Sequence, residues 1–159
     1  MRIWSITEAL PEHIPAIAEH MREADRREVW ASHRHTPLEA LEFALQRSEL
    51  AWTCMVDGLP SFMWGAARTG AVLGCTGAPW LLGTPAIVKV RHDFLRYCPH
   101  FVAAMQSAFP CLENYVHAEN TLSIRWLKHL GFMVNEDMPE LINDEDFYLF
   151  QRGAKCVNQ

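Results

Sequence analysis

Apolar positions along the chain follow two spacings, and each spacing predicts one kind of element. Apolar residues that recur every three or four positions indicate helices, whereas short alternating or continuous apolar runs indicate strands. Helices are predicted over 11–32, from residue 37 onward, over 85–109 and over about 121–130. Strands are predicted over 2–6, 50–57, 61–68, 79–82, 112–118, 132–134 and 147–150, with a turn at Gly58-Leu59-Pro60 between the second and third.

Two helix starts carry recognisable capping residues. Thr36 is the expected N-cap of the second helix, with Pro37 at its first position and Glu39 completing a capping box. Thr84 and Pro85 are expected to start the third helix in the same way. These signals fix where two of the helices should begin.

The order of elements predicts the topology. The first four strands are expected to pair antiparallel, and two later crossover helices imply at least one parallel pair. Pro99 should kink or split the third helix, and Gly131 fits the left-handed position after the fourth. The sequence therefore predicts one α/β domain over residues 1–159, a mixed β-sheet with helices on both faces.

Composition and charge exclude several classes of function. Half of the 159 residues are hydrophobic, and the formal net charge is −5. A mildly acidic domain is a poor binder of phosphate backbones, so no nucleic-acid partner is expected. No apolar stretch reaches the roughly 20 residues that span a bilayer, and the N-terminus lacks a signal-peptide core. The expected location is a bacterial cytoplasm or a phage particle assembled there.

Five cysteines, an odd number without a CxxC pair, are expected to be free and mostly buried thiols. His33 and His35 are spaced like metal ligands, but no third ligand has convincing spacing, so no metal site is expected.

The segment from Asn120 to Phe132 carries the strongest motif. It resembles the signature N-x-x-[AS]-x-x-x-[YL]-x-x-x-G-F of the GNAT acyltransferases, with Asn120, Ser123, Gly131 and Phe132 in register. The resemblance implies a GNAT-like mixed β-sheet flanked by helices, with acetyl-CoA as cofactor and a small amine as acceptor. It also implies that strands 79–82 and 112–118 are parallel neighbours that splay apart at their C-terminal ends, where ligands of open α/β sheets bind. Trp126 and Phe132 should then be largely buried.

A narrower resemblance covers roughly residues 50–150. Four segments are similar to the phage internal virion protein family of short-tailed phages: 80–84, 91–105, 112–116 and 120–131. This resemblance implies a phage or prophage protein whose partners are virion proteins.

The GNAT resemblance also implies which residues hold acyl-CoA. The pyrophosphate loop of the family, [QR]-x-x-G-x-[GA], falls on residues 82–87, which lack the leading Arg or Gln and the second Gly. Pro85 removes an N–H donor, and Leu127 stands where many members carry a Tyr that protonates the thiolate, with Tyr97 and Tyr115 as substitutes. Weak or absent acetyl-CoA binding is therefore expected. The implied cofactor contacts are Leu81, Leu82, Gly83, Thr84, Asn120 and Ser123.

A general base must remove a proton from the acceptor ammonium. The candidates are Asp25 and Glu28, which share a helix face three residues apart, and His117 at a strand end beside Asn120. Acidic side chains there would favour a cationic amine.

Two functions stay open at this point. One is a catalytically degenerate GNAT-fold protein of a phage or prophage, acting in virion assembly or binding. The alternative is an active acyl-CoA-dependent N-acetyltransferase acting on an amine.

Overall fold

The computed structural model describes residues 3–70 and 74–153. The helices are α1 (Ile14–Glu19), α2 (Glu23–His33), α3 (Pro37–Arg47), α4 (Ile87–Ala108) and α5 (Thr121–His129), with a 3-10 turn over Pro11–His13 before α1. The strands are β1 (Trp4–Glu8), β2 (Ser48–Val56), β3 (Leu59–Arg68), β4 (Thr76–Gly83), β5 (Cys111–His117), β6 (Met133–Val134), β7 (Glu140–Ile142) and β8 (Glu145–Gly153). Within these residues, no helix is long and apolar enough to cross a membrane.

All eight strands belong to one sheet, in the order β1-β2-β3-β4-β5-β8-β6, with β7 paired to β8. β4 and β5 run parallel, and every other neighbouring pair in the described residues is antiparallel. Alternate side chains of β3 point to opposite faces: Phe62 and Trp64 pack in the core under α4 and α5, and Met63 packs in the core under α1 and α3. The α/β class and the mixed sheet with helices on both faces are confirmed.

The parallel pair opens after two registered residues. Thr76 pairs with Cys111 and Gly77 with Leu112, and the pairing ends there. Gly77 is needed at this point because a Cβ on it would lie 2.3 Å from the Phe109 ring. The predicted parallel neighbours and their splay are therefore confirmed.

The expected first helix over 11–32 is wrong, because the chain breaks at residues 20–22. α1 ends at Glu19 and α2 starts at Glu23. The Arg26 side chain donates to the carbonyls of Ala18 (3.1 Å) and Glu19 (2.9 Å), so it satisfies acceptors that a continuous helix would have paired internally. The break frees the Arg22 N–H to donate to the Gly83 carbonyl at 2.8 Å.

Of the two capping predictions, one holds. Thr36 is the N-cap of α3 and accepts from the Glu39 N–H. Thr84 is not the N-cap of α4: that position belongs to Ala86, and Thr84 Oγ1 accepts from the Ala86 N–H at 3.3 Å. The two residues Pro85 and Ala86 form a turn before the helix, so α4 starts two residues later than expected.

α4 is not split at Pro99, which lies inside one continuous helix. Pro99 is exposed, whereas Cys98 and Val102 are buried in the core. Water can replace the backbone bond that a proline removes on a solvent-facing side, so packing of the opposite face holds the helix together.

The predicted turns differ from the observed ones. The turn expected at 58–60 lies instead at Asp57 and Gly58, both with positive φ, and Pro60 is already within β3. Strand β7 was not predicted; it joins β8 through Asn143 and Asp144, which also have positive φ. Asp-Gly and Asn-rich pairs favour such tight hairpins. Gly131 takes the left-handed conformation as expected, with a φ of 86°.

Cys54, Cys98 and Cys111 are free and buried, as expected. The expectation is wrong at Cys75, which is disulfide-bonded. Cys156 lies outside the described residues.

The helix of the Asn120 motif covers the sheet less completely than predicted. Phe132 is 6% exposed and packs edge-on against Phe150. Trp126 is only half-buried, because it packs against the edge of the core and also lines the cavity.

We expect the Phe132→Ala variant to lose about 3–5 kcal/mol of unfolding free energy, since a buried ring is replaced by a cavity. The matched control is Met133→Ala, because Met133 is 72% exposed and should change stability by only about 0.5 kcal/mol. Urea denaturation measures both. Equal losses in the two variants would contradict the packing of the motif against β8.

Candidate active site

A cavity of about 650 Å3 lies where β4 and β5 separate. One half is lined from α2, α3 and the segment before α3, and the other half from α4 and α5. Of the residues that the sequence proposed for cofactor contact or catalysis, five line this cavity: Glu28, Leu81, Leu82, Asn120 and Ser123. Asp25, Gly83, Thr84 and His117 are not part of its wall within the described residues.

Glu28 is held by the asparagine of the motif. Asn120 Nδ2 donates to Glu28 Oε2 at 2.7 Å, and Asn120 Oδ1 accepts from the Ser123 N–H as the N-cap of α5. The backbone N–H of His117 also donates to the Glu28 carboxylate. Asn120 is 4% exposed, so one buried amide both starts α5 and orients the carboxylate.

Burial raises the pKa of Glu28 to about 7. The hydrogen bond from Asn120 lowers the pKa, the nearby Asp25 carboxylate raises it, and the His117 amide and the Arg22 guanidinium lower it by less. Desolvation dominates because none of the described residues places a cation in direct contact with the carboxylate. A carboxyl group with this pKa changes its charge near neutral pH.

Asp25 has a different position and different partners. It is 2% exposed and accepts two hydrogen bonds from Arg22, at 2.9 and 3.2 Å. Its Oδ2 also accepts from the Gly83 N–H at 3.0 Å. Asp25 therefore fastens α2 to the end of β4, and these contacts occupy the carboxylate.

His117 is also fully engaged. Its Nε2 lies 2.9 Å from Glu145 Oε1, and its Nδ1 accepts from the Glu119 N–H at 3.1 Å. The ring is 4% exposed and packs edge-on against Phe147. An acceptor Nδ1 places the ring proton on Nε2, so neither nitrogen is free to take a proton from a ligand in the cavity.

The loop that would hold a pyrophosphate uses its own N–H groups internally. Pro85 has none. The Gly83 N–H donates to Asp25 Oδ2, the Thr84 N–H to the Ser61 carbonyl, and the Ala86 N–H to Thr84 Oγ1. The N–H groups of Ile87, Val88 and Lys89 donate to the carbonyls of Thr84, Pro85 and Ala86, respectively. Anion sites at helix N-termini depend on N–H groups that point at the ligand, and here each of these N–H groups already has a partner.

The half of the cavity beneath α4 and α5 has few proton donors. Leu127 lines the wall at the position of the expected tyrosine. Tyr115 also lines it, but its hydroxyl donates to Glu140, which with burial raises its pKa to about 12. Tyr97 is 50% exposed and packs against Trp4 instead.

Sequence reasoning missed Trp64 as a cavity residue. Trp64 is 3% exposed, and its Nε1 has no hydrogen-bond partner in the described part of the chain. A buried N–H without a partner costs about 1–3 kcal/mol. No sequence signal marks it, because Trp64 lies in the middle of an ordinary apolar strand.

His33 and His35 stack on each other with ring centroids 5.4 Å apart. Burial, and then the neighbouring His35, lower the pKa of His33. No group of three metal-ligating side chains occurs among residues 3–70 and 74–153. Both rings line the cavity and add aromatic surface to it.

No family model matches the chain, and no curated protein matches it. Several solved structures are similar to it in fold. A GCN5-related N-acetyltransferase from Kribbella flavida has a TM-score of 0.71 at 18% identity, over 95% of this chain and 98% of that chain. The fold is that of the GNAT acetyltransferases.

Two further GNAT-fold structures are similar over nearly their whole length. One is yncA of Salmonella typhimurium, described as an acetyltransferase and solved with its cofactor acetyl-CoA. It has a TM-score of 0.68 at 15% identity, over 99% of this chain and 97% of that chain. The other is a ribosomal-protein-alanine N-acetyltransferase from Brucella melitensis, with a TM-score of 0.67 at 12% identity, over 94% of this chain and 99% of that chain. The resemblance to phage internal virion proteins gains no support from these comparisons.

The raised pKa of Glu28 predicts a stability effect with a definite sign. Between pH 4.5 and about 7 the folded chain holds a proton that the unfolded chain has lost, so this group's contribution to stability falls as pH rises. The unfolding free energy of Glu28→Gln, relative to that of wild type, should therefore rise by about 1–3 kcal/mol as the pH increases across this range. Urea denaturation across the range measures the difference.

Glu23→Gln is the control, because Glu23 lies exposed on the same helix. If the difference in unfolding free energy between wild type and Glu28→Gln did not change with pH, the raised pKa would be contradicted.

Proposed function

We propose that this protein is an acyl-CoA-dependent N-acyltransferase that acts on an amine, with Glu28 as the general base. The observation that carries the proposal is the position of Glu28: its carboxylate lines the cavity between the splayed strands, held by Asn120, with a pKa of about 7. General bases work best when their pKa lies near the operating pH.

Glu28 would take one proton from the acceptor ammonium and leave a nitrogen lone pair. A bound acyl thioester would supply the acyl group to that nitrogen. The nitrogen–carbon bond forms as the carbon–sulfur bond breaks, and the second nitrogen proton goes to the departing sulfur. Leu127 carries no hydroxyl to deliver that proton, so it would pass directly from the nitrogen or through water.

The fit of an acyl thioester is uneven along the cavity. The apolar walls of α4 and α5 suit a thin, largely apolar chain. The same cavity is also lined by Leu81, Leu82, Asn120 and Ser123. The N–H groups of residues 83–89 do not suit a pyrophosphate, so we expect weak binding that depends on the chain more than on the phosphates.

A specific observation favours a second candidate function. The satisfied N–H groups of residues 83–89, together with Leu127, are what a GNAT scaffold without catalysis would show. Such a protein of a phage or prophage would act by binding, with virion proteins as partners. Fold alone does not decide between the two functions.

Acetyl-CoA binding separates the two candidates. If the site binds, acetyl-CoA at 100 times its dissociation constant should stabilise the protein by about 2.7 kcal/mol, measurable as a thermal shift. Ser123→Trp, which fills the cavity wall, should abolish that shift. Gly83→Val is unsuitable as a variant, because even a Cβ on Gly83 would lie 2.4 Å from Phe62 Cβ. No shift at millimolar acetyl-CoA would favour the second candidate.

The role of Glu28 can be tested by kinetics. Release of free thiol, measured with acetyl-CoA and a panel of amines, should fall about 10²–10⁴-fold in Glu28→Gln and stay unchanged in Glu23→Gln. In wild type, kcat/KM should rise with pH through about 7, because Glu28 must be ionised to accept a proton.

The Asn120→Asp variant tests whether that pH dependence of kcat/KM comes from Glu28. Aspartate keeps the N-cap of α5 but replaces the Nδ2 donor with a negative charge beside Glu28. The midpoint of the pH profile should move up by at least about one pH unit. Other ionisable groups near Glu28 include Asp25 and His33 on its own helix, Arg22 at the N-cap of that helix, His117 at the end of β5, and His35 on the cavity wall. An unchanged midpoint would assign the titration to one of these.

A further inference from the structure

The half of the cavity beside α2 and α3 carries a cluster of aromatic rings. Phe43 lies 5.1 Å from His35 and 5.9 Å from His33, measured between ring centroids. Phe43 is 37% exposed although it is a large apolar side chain, and all three residues line the cavity. Trp80 adds a fourth ring to the wall. An exposed ring cluster on a cavity wall favours a ligand with an aromatic or broad apolar body.

The charges on this wall disfavour an acceptor with several positive charges. Of the described residues that line the cavity, Glu28 is the one acid, and Asp25 is away from the wall and paired with Arg22. Arg47 lines the same half and lies over the Phe43 ring, 4.3 Å from its centroid, without an ion pair among the described residues. Arg68, which also lines the cavity, pairs with Glu49.

One carboxylate is sufficient for one ammonium group. A second ammonium on the same molecule would meet Arg47 beside the rings, where like charges repel. Of the two acids on α2 that the sequence proposed as bases, Glu28 lines the cavity and Asp25 does not.

From the ring cluster and the charges, and resting on the proposed function, we infer that the acceptor is a monoamine on an aromatic body. Its ammonium would lie at Glu28 and its ring against Phe43, His35 and His33. Phe43 is then a residue that determines specificity.

The test compares three amines under identical conditions with saturating acetyl-CoA: 2-phenylethylamine, n-butylamine and spermidine. We expect kcat/KM to be highest for 2-phenylethylamine and lowest for spermidine. Phe43→Ala should lower kcat/KM for 2-phenylethylamine by about tenfold, the scale of a lost aromatic contact, and change it much less for n-butylamine. Tyr97→Ala is the matched control, because Tyr97 is an exposed ring away from the cavity.

A preference for spermidine, or equal effects of Phe43→Ala and Tyr97→Ala, would overturn the inference while leaving acyl transfer intact. If no amine is acylated, the proposed function fails, and calorimetric titration of 2-phenylethylamine alone tests the binding site. Binding that Phe43→Ala weakens and Tyr97→Ala does not would support the aromatic acceptor site, and no binding would overturn it.

Discussion

Helix α2 is fastened to both of the strands that separate, and the cavity depends on these two attachments. Through Asp25 and Arg22 it holds the end of β4 at Gly83. Three residues further along, Glu28 reaches the end of β5 through Asn120. Residues three apart lie on one face of a helix, so a single helical turn spans the opening. The distance between the strand ends is thus set by hydrogen bonds to buried groups.

The two carboxylates in these attachments have different environments. Asp25 has a guanidinium beside it and accepts a further backbone N–H, so its charge is compensated where it is buried. Among the residues that the structure describes, Glu28 has amide donors and no cation in direct contact, and its pKa is raised to about 7. The same helix face therefore carries one acid that serves as an anchor and one that can exchange a proton. Their partners decide which acid has which property: Arg22 and the Gly83 N–H for Asp25, and Asn120 for Glu28.

Much of the fold could be predicted from sequence because its signals are local. Helical spacing, the Thr36 cap and the Asn120 motif each lie within one segment, and the parallel pair follows from the crossover helix. The break between α1 and α2 could not be predicted, since it depends on contacts of Arg22 and Arg26 with distant or non-helical backbone. For the same reason the sequence named Asp25, Glu28 and His117 as candidate bases and favoured His117, which lies beside Asn120 in the chain. Only the assembled structure shows that two of them already have their hydrogen-bonding capacity occupied.

The carboxylate of Glu28 is hard to explain by stability alone. A glutamine at this position would accept the same hydrogen bond from Asn120 without the free energy needed to bury a charge. At neutral pH the raised pKa means that ionised Glu28 destabilises the folded chain relative to that alternative. Asp25, by contrast, has the paired geometry expected of a structural acid. A group that reduces stability, lies on a cavity wall and titrates near neutral pH has the properties of a functional acid or base. This contrast favours proton transfer over a purely structural role for Glu28, even though the N–H groups of residues 83–89 already have partners.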